Sequence, residues 1–174
     1  MITTQENKLI YTFNQETVLI EPWGKHAIRV RAIKQAAFPE ENWALTQPCT
    51  HSCTIAQSEC YAQLENGKIT ARISSGGKLT VYNSDEKKLL EEYARNRRDV
   101  LDPKCSAIEV EAREFRPIPG GDYHLTARFE SLDPNEKIFG MGQYQQPYLN
   151  LKGADLELAH RNSCLLYTSP SPRD

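Results

Sequence analysis

Apolar and polar residues alternate in short runs through most of the chain, and most runs end at Gly, Pro, Asn or Asp. Residues 9–13 and 18–21 form two such runs, separated by the polar turn Asn14-Gln15-Glu16. Pro22-Trp23-Gly24 stops the second, and Ala27-Ile28-Arg29-Val30-Arg31-Ala32 then alternates cleanly. Successive side chains of a strand point to opposite faces, so Ile28 and Val30 are predicted to face a core and Arg29 and Arg31 solvent. Residues 52–62 read as one strand, Glu65-Asn66-Gly67-Lys68 as a hairpin turn, and residues 69–73 as its return. Ser74-Ser75-Gly76-Gly77 then turns the chain into residues 78–82, and Asn83-Ser84-Asp85-Glu86 is the next turn. Residues 107–115 set Ile108, Val110 and Ala112 against Glu109, Glu111 and Arg113, which predicts a half-buried strand. Pro117 and Pro119-Gly120-Gly121 turn it back into residues 123–129, with Tyr123, Leu125, Ala127 and Phe129 on one face.

One segment carries two conflicting patterns. Leu89, Leu90, Tyr93 and Ala94 recur at helical spacing, Ser84 could cap, and Glu91 and Arg95 stand at i,i+4. A family resemblance given below implies instead that Leu89-Leu90-Glu91-Glu92 is a strand continuing the meander, and tertiary pairing overrides propensity routinely. The strand is the prediction. Short strands with turn signals about every eight to twelve residues then define the fold class: all-β, an antiparallel β-sandwich.

Composition narrows the function classes. The 174 residues give room for one domain with a sizeable core, whereas a (β/α)8 barrel alone takes about 250. A formal charge of −2, with both signs mixed along the chain, argues against nucleic acid or an anionic membrane as partner. No apolar run approaches the roughly 18 residues of a membrane span, and the first residues, MITTQENKLIYTF, lack a signal-peptide pattern. A cytoplasmic location is expected, where cysteines stay thiols.

Several constellations could carry chemistry. Cys49, His51 and Cys53 alternate, with Cys60 seven positions on, but this spacing matches no common zinc module, and small half-buried thiols are the better expectation. Arg29 and Arg31 could hold a carboxylate, and Glu109 with Glu111 could form an acid/base pair; a solvated strand face is expected in both places. Trp43 lies in a Pro-containing loop where it could stack on a sugar or cap the sandwich. The richest stretch is 136–163. There the apolar strand signal Ile138-Phe139 meets Gly140-x-Gly142, followed by Gln143-Tyr144-Gln145-Gln146. Gly permits a sharp exit from a sheet. Tyr and Gln at a rim suit sugars, offering a ring face for stacking and amides for hydroxyls.

Taken together, Ile138-Phe139-Gly140-Met141-Gly142-Gln143-Tyr144-Gln145-Gln146, Leu149-Asn150-Leu151-Lys152-Gly153 and Leu156-Glu157-Leu158-Ala159-His160-Arg161-Asn162-Ser163 resemble glycoside hydrolase family 31. The similarity is to its bacterial α-xylosidase branch, at the end of the N-terminal β-sandwich. It extends back through Leu89-Leu90-Glu91-Glu92, Gly77-Lys78-Leu79, Asn66-Gly67-Lys68-Ile69, Ile28-Arg29-Val30-Arg31 and Trp23-Gly24. The resemblance implies a galactose-mutarotase-like sandwich belonging to a retaining α-glycosidase. Its catalytic aspartates come from a barrel not represented here, so no catalytic residue is expected in this chain. It implies a pocket-shaping loop near Arg161 and Asn162, although related members carry Arg-Asp there, and these two join Gln143 and Tyr144 as the expected substrate-binding positions. No cofactor or metal is implied. The expected partner is an α-linked oligosaccharide bound through the barrel, and a homo-oligomeric parent stays open.

From Cys164 the character changes. CLLYTSPSPRD has no strand or helix period and coincides with one translation frame of a sequencing-library transposase adapter. The expected organisation is a sandwich over residues 1–163, incomplete at its C-terminal end, and a non-biological tail over 164–174. The function expected of the sandwich is to lend a rim loop to an α-xylosidase pocket. An α-glucosidase fragment and a free-standing sugar-binding or interaction module are the alternatives.

Overall fold

A computed structural model describes residues 1–39, 41, 45, 53–97, 103–140 and 149–156. The described residues contain eleven strands and no helix. Two units are distinguished, Met1–Leu132 and Asp133–Asp174. The strands all belong to the first: β1 (Ile2–Gln5), β2 (Lys8–Phe13), β3 (Glu16–Pro22), β4 (Ile28–Lys34), β5 (Thr54–Gln57), β6 (Tyr61–Asn66), β7 (Ile69–Ser74), β8 (Leu79–Asn83), β9 (Lys88–Glu91), β10 (Arg113–Ile118) and β11 (Asp122–Ala127).

They form two antiparallel meanders, β1-β2-β3-β4 and β5-β6-β7-β8-β9, together with a separate β10-β11 hairpin. The core lies between the meanders. Leu9, Tyr11, Val18 and Ile20 from β2 and β3 meet Ala62, Leu64, Ala71, Ile73 and Leu79 from β6, β7 and β8. Each large apolar side chain buried this way contributes about 1.5–3 kcal/mol. The fold is the expected antiparallel β-sandwich.

Tight turns set the register. The β2-β3 hairpin turns on Asn14 and Gln15, both at positive φ (47° and 66°), as a right-twisted two-residue hairpin demands. In the β6-β7 hairpin Asn66 faces Ile69, so the loop is Gly67-Lys68, with Gly67 at φ 64°. That turn is clasped to the β3-β4 connection of the opposite sheet. Asn66 Nδ2 donates to the Gly24 and Ala27 carbonyls (2.7 and 2.6 Å), and the Lys68 N–H donates to His26 Nδ1 at 3.0 Å.

The segment with conflicting patterns is a strand. β9 pairs with β8 across an irregularity at Val81/Tyr82, so pairing with a sheet edge overrode helical spacing. Glu91 and Arg95 do not form the i,i+4 pair; Glu91 binds Lys78 and Lys88, while Arg95 binds Glu130.

Other expectations are corrected. Residues 52–62 do not form one strand, because Ser58 turns the chain: its N–H and hydroxyl both donate to the Tyr61 carbonyl (2.8 and 3.1 Å), dividing β5 from β6. The strand predicted over 107–115 begins at Arg113 and runs through Pro117, leaving Ile108 76% exposed. Before it, Val110 makes an isolated bridge to Arg95. Leu125 and Phe129 are about half exposed, so the apolar face of the hairpin is not a core face. Ile28 borders the core as predicted, with Ala32 beside it, but Val30, predicted to face the core as well, remains 38% exposed.

Candidate functional site

Within the second unit, Asn150 ties together two described pieces of the 136–163 stretch. Its Oδ1 accepts the Ile138 N–H (3.0 Å) and the Lys152 N–H (3.2 Å), while the Leu151 N–H donates to the Ile138 carbonyl at 2.8 Å. Lys152 Nζ donates to the Asp133 carbonyl (3.0 Å) and lies 3.8 Å from Glu136. These bonds occupy Ile138 in a bridge to the 150–152 turn, and Ile138-Phe139 is not a strand. Gly140 takes φ 97°, the conformation a sharp exit needs. Leu149 is exposed and Leu151 is buried. The four rim residues Gln143, Tyr144, Arg161 and Asn162 lie outside the described residues, as do Gly142 and Trp43.

The first unit concentrates its charges where β9 meets the chain around β10. Arg113, nearly buried, binds Glu92, places Nε 2.6 Å from Glu16 Oε1, and donates through Nη2 to the Gly77 carbonyl at 2.8 Å. The same Glu92 oxygen accepts the Leu79 N–H at 2.8 Å. Burial pulls the Arg113 guanidinium down, but Glu92 and Glu16 outweigh it and hold its pKa above the usual value. Next to it Glu91, 4% exposed, takes Lys78 at 2.8 Å and Lys88 at 3.0 Å, with Lys104 at 3.7 Å. Burial pushes the Glu91 carboxyl up, and Lys78 and Lys88 more than reverse that. Glu130 behaves alike: burial raises it, and Arg95 (2.6 Å) and Lys104 (3.1 Å) lower it further. Glu91 and Glu130 are held ionised by their cations, the opposite of a general acid kept protonated. Pattern reading missed this cluster for a simple reason. Glu16 and Glu92 stand 97 and 21 positions from Arg113, and no periodicity links them.

A small cleft of about 60 Å³ adjoins the cluster, lined in part by Tyr11, Glu16, Arg95, Glu109 and Arg113. Ligand pockets run to roughly 300 Å³ or more, so it is too small for a sugar.

The remaining sequence candidates are accounted for by internal contacts. Arg31 donates to Glu21 Oε1 at 3.0 Å with Arg29 at 3.7 Å, so the carboxylate they hold is the chain's own. Both guanidinium groups also lie over rings, Arg29 over Trp23 (4.6 Å) and Arg31 over Phe38 (4.9 Å). Glu109 sits 3.7 Å from Arg97 at the surface, and the exposed Glu111 lends its carbonyl to Arg128. Cys53 places Sγ 3.5 Å from the Asn7 carbonyl, and burial raises its thiol pKa. Cys49 and His51 lie outside the described residues, among which no three potential ligands gather.

Among the described residues the buried carboxylates are thus paired with cations of the same chain, within an all-antiparallel sandwich. The chain is similar over part of their length to family 31 glycosidases. No family model matches the chain. It is 42% identical over 165 residues to an uncharacterized family 31 glucosidase from Pseudescherichia vulneris, covering 90% of this chain and 31% of the relative. Its fold matches the crystal structure of a family 31 α-xylosidase from a soil metagenome, complexed with xylose (TM-score 0.85, 40% identity, 93% of this chain, 25% of that one). An α-xylosidase from Xanthomonas citri shares the fold at TM-score 0.66 and 23% identity, over 86% of this chain and 16% of that one. The chain is therefore a homologue of glycoside hydrolase family 31, spanning about a third of the curated relative and a quarter of the xylose-bound enzyme.

Proposed function

We propose that this chain is the N-terminal sandwich portion of a retaining α-glycosidase, specifically an α-xylosidase, and that it shapes the substrate pocket without performing the chemistry. The observation that carries this is the 40% identity and TM-score of 0.85 over 93% of the chain to an α-xylosidase complexed with xylose. A retaining glycosidase works with two carboxylates about 5–5.5 Å apart, one a nucleophile and one an acid/base. The buried carboxylates among the described residues are instead bound to cations of the chain, Glu21 to Arg29 and Arg31, Glu91 to Lys78 and Lys88, and Glu92 to Arg113. In this reading the nucleophile and acid/base come from a barrel encoded beyond residue 163. The segment stapled by Asn150 carries Gln143 and Tyr144 to the rim, and Arg161 and Asn162 contact sugar hydroxyls.

Two experiments test it. Sequencing the source locus past codon 163 should show the frame continuing for several hundred codons; a natural stop there would overturn the proposal in favour of a free-standing module. The enzyme encoded by the complete frame should hydrolyse p-nitrophenyl α-xyloside in preference to the α-glucoside, and the reverse preference would make it an α-glucosidase. The 174-residue chain by itself should turn over neither, and saturable turnover by it would place catalytic groups within these residues.

A further inference from the structure

The β10-β11 hairpin belongs to neither meander. Its two strands pair with each other from Arg113↔Ala127 to Ile118↔Asp122 and join no ladder of the larger sheets. Its far end is the Pro119-Gly120-Gly121 turn, with both glycines at positive φ. Along its length Ile118 and Leu125 stay about 45% exposed, so apolar burial contributes little to holding it. Attachment concentrates at the base. There the Tyr93 N–H donates to the Arg128 carbonyl (2.9 Å) and the Glu130 N–H to the Glu91 carbonyl (2.8 Å). Farther along, the Tyr123 hydroxyl donates to Gln35 Oε1 at 2.5 Å.

The contact of a different kind is Arg113. As the first residue of β10 it reaches three elements at once: Glu16 at the start of β3, Gly77 in the β7-β8 turn, and Glu92 directly after β9. One side chain thereby ties the hairpin to both meanders. From this geometry we infer that β10-β11 is a cooperative unit that opens and closes on an intact sandwich, with Arg113 as its latch. Opening releases the hairpin at its base, breaking the Arg113 contacts and exposing Glu92 and Glu16 to solvent, where each is hydrated rather than paired. Closing requires three acceptors from separate elements to be in register, so the latch engages in one arrangement. Proteins open in cooperative pieces whose stabilities differ, and a hairpin held by polar contacts with little buried apolar area belongs to the low-stability end.

The test is native-state hydrogen exchange on the full 174-residue chain. In the unaltered protein, amides of β10 and β11 should exchange as a group, at least about tenfold faster than those of β2, β3, β6 and β7 at low denaturant. Exchange of all six strands as one block would overturn the inference. Arg113→Met should accelerate β10-β11 exchange about 100-fold with far less change in the core strands, because it leaves Glu92 buried without its cation. Unchanged hairpin protection would remove Arg113 as the latch, and equal acceleration everywhere would make it an ordinary core contact. If Arg113→Met does not fold, the Arg113→Met/Glu92→Leu pair supplies the same readout without the buried carboxylate at position 92. There the hairpin should exchange faster than it does in the unaltered chain, since Glu16 and the Gly77 carbonyl have lost the guanidinium, and protection equal to the unaltered chain's would remove Arg113 as the latch.

Discussion

Gly67 lies so close to His26 that a Cβ built on it would stand 2.0 Å from Nδ1, the atom that accepts the Lys68 N–H. The turn of one sheet therefore fits the connection of the other only with hydrogen at this position. Gly67 is also at φ 64°, where a side chain costs about 1–2 kcal/mol. His26 is exposed and could swing aside, but only by giving up its hydrogen bond. Gly67→Ala is expected to lower stability by about 2 kcal/mol, read as a shift in the denaturant midpoint. An unchanged midpoint would remove the clasp as a source of stability.

Gly77 should be less forgiving. A Cβ there would stand 2.5 Å from the Tyr11 hydroxyl and 2.6–2.7 Å from ring carbons, and Tyr11 is only 2% exposed. The ring is wedged in the core and cannot give way as an exposed imidazole can. Overpacking of this sort adds about 1–3 kcal/mol to the cost of the positive φ of 88°. Gly77→Ala should therefore destabilise more than Gly67→Ala, and the reverse order in paired urea titrations would contradict the placement of Tyr11.

Acid should weaken the chain through Glu91 and Glu130. Both carboxyls are raised by burial and lowered further by their cations, so each lies below its ordinary value in the folded chain. As pH falls, the unfolded chain takes up these protons first. The stabilisation is complete above the unfolded value of about 4.3 and drains away as pH drops through the lower folded values. Thermal melts of the unaltered chain should fall steeply below about pH 4.3. Glu91→Gln should melt lower at neutral pH, approach the unaltered chain in acid, and show a flatter profile. Parallel profiles would show that Glu91 carries none of the effect.

Asn150 offers a test in the second unit. Asn150→Ala removes the acceptor for the Ile138 and Lys152 N–H groups, and should raise exchange at both amides by about tenfold. Asn150→Asp keeps an acceptor and should preserve most of the protection. Equal effects of the two variants would discount the side-chain staple.

Much of the sandwich was legible because its strands are half-buried and its turns chemically marked. The 69–73 alternation, the Asn66-Gly67 turn and the polar Asn14-Gln15 loop each state their own geometry. Misplacements arose where another residue had a claim on the backbone. Ser58 broke an apparent strand by bonding to Tyr61. The alternation at 107–112 described a segment that makes a single bridge instead of a ladder, and Ile108 lost its predicted core face. β1 carried no recognised pattern, since Ile2-Thr3-Thr4-Gln5 offers one apolar residue and draws its order from pairing with β2. Of the site, the resemblance supplied the class of enzyme. The rim residues it nominated lie outside the described residues, and the Arg113 cluster has no local signature.

The meander order has a further consequence for how the molecule could be taken apart. Every ladder in the two large sheets joins strands adjacent in sequence, β1 through β4 and β5 through β9. Severing the chain between β4 and β5 thus cuts no strand pair and leaves each half with a whole sheet. What each half loses is the facing surface, Leu9, Tyr11, Val18 and Ile20 for one and Leu64, Ala71 and Ile73 for the other, together with a clasp that joins residues 42 positions apart. The two pieces should be sticky and incomplete separately yet recognise one another when co-expressed, making this sandwich a natural two-part complementation system whose association is reported by the Asn66 contact.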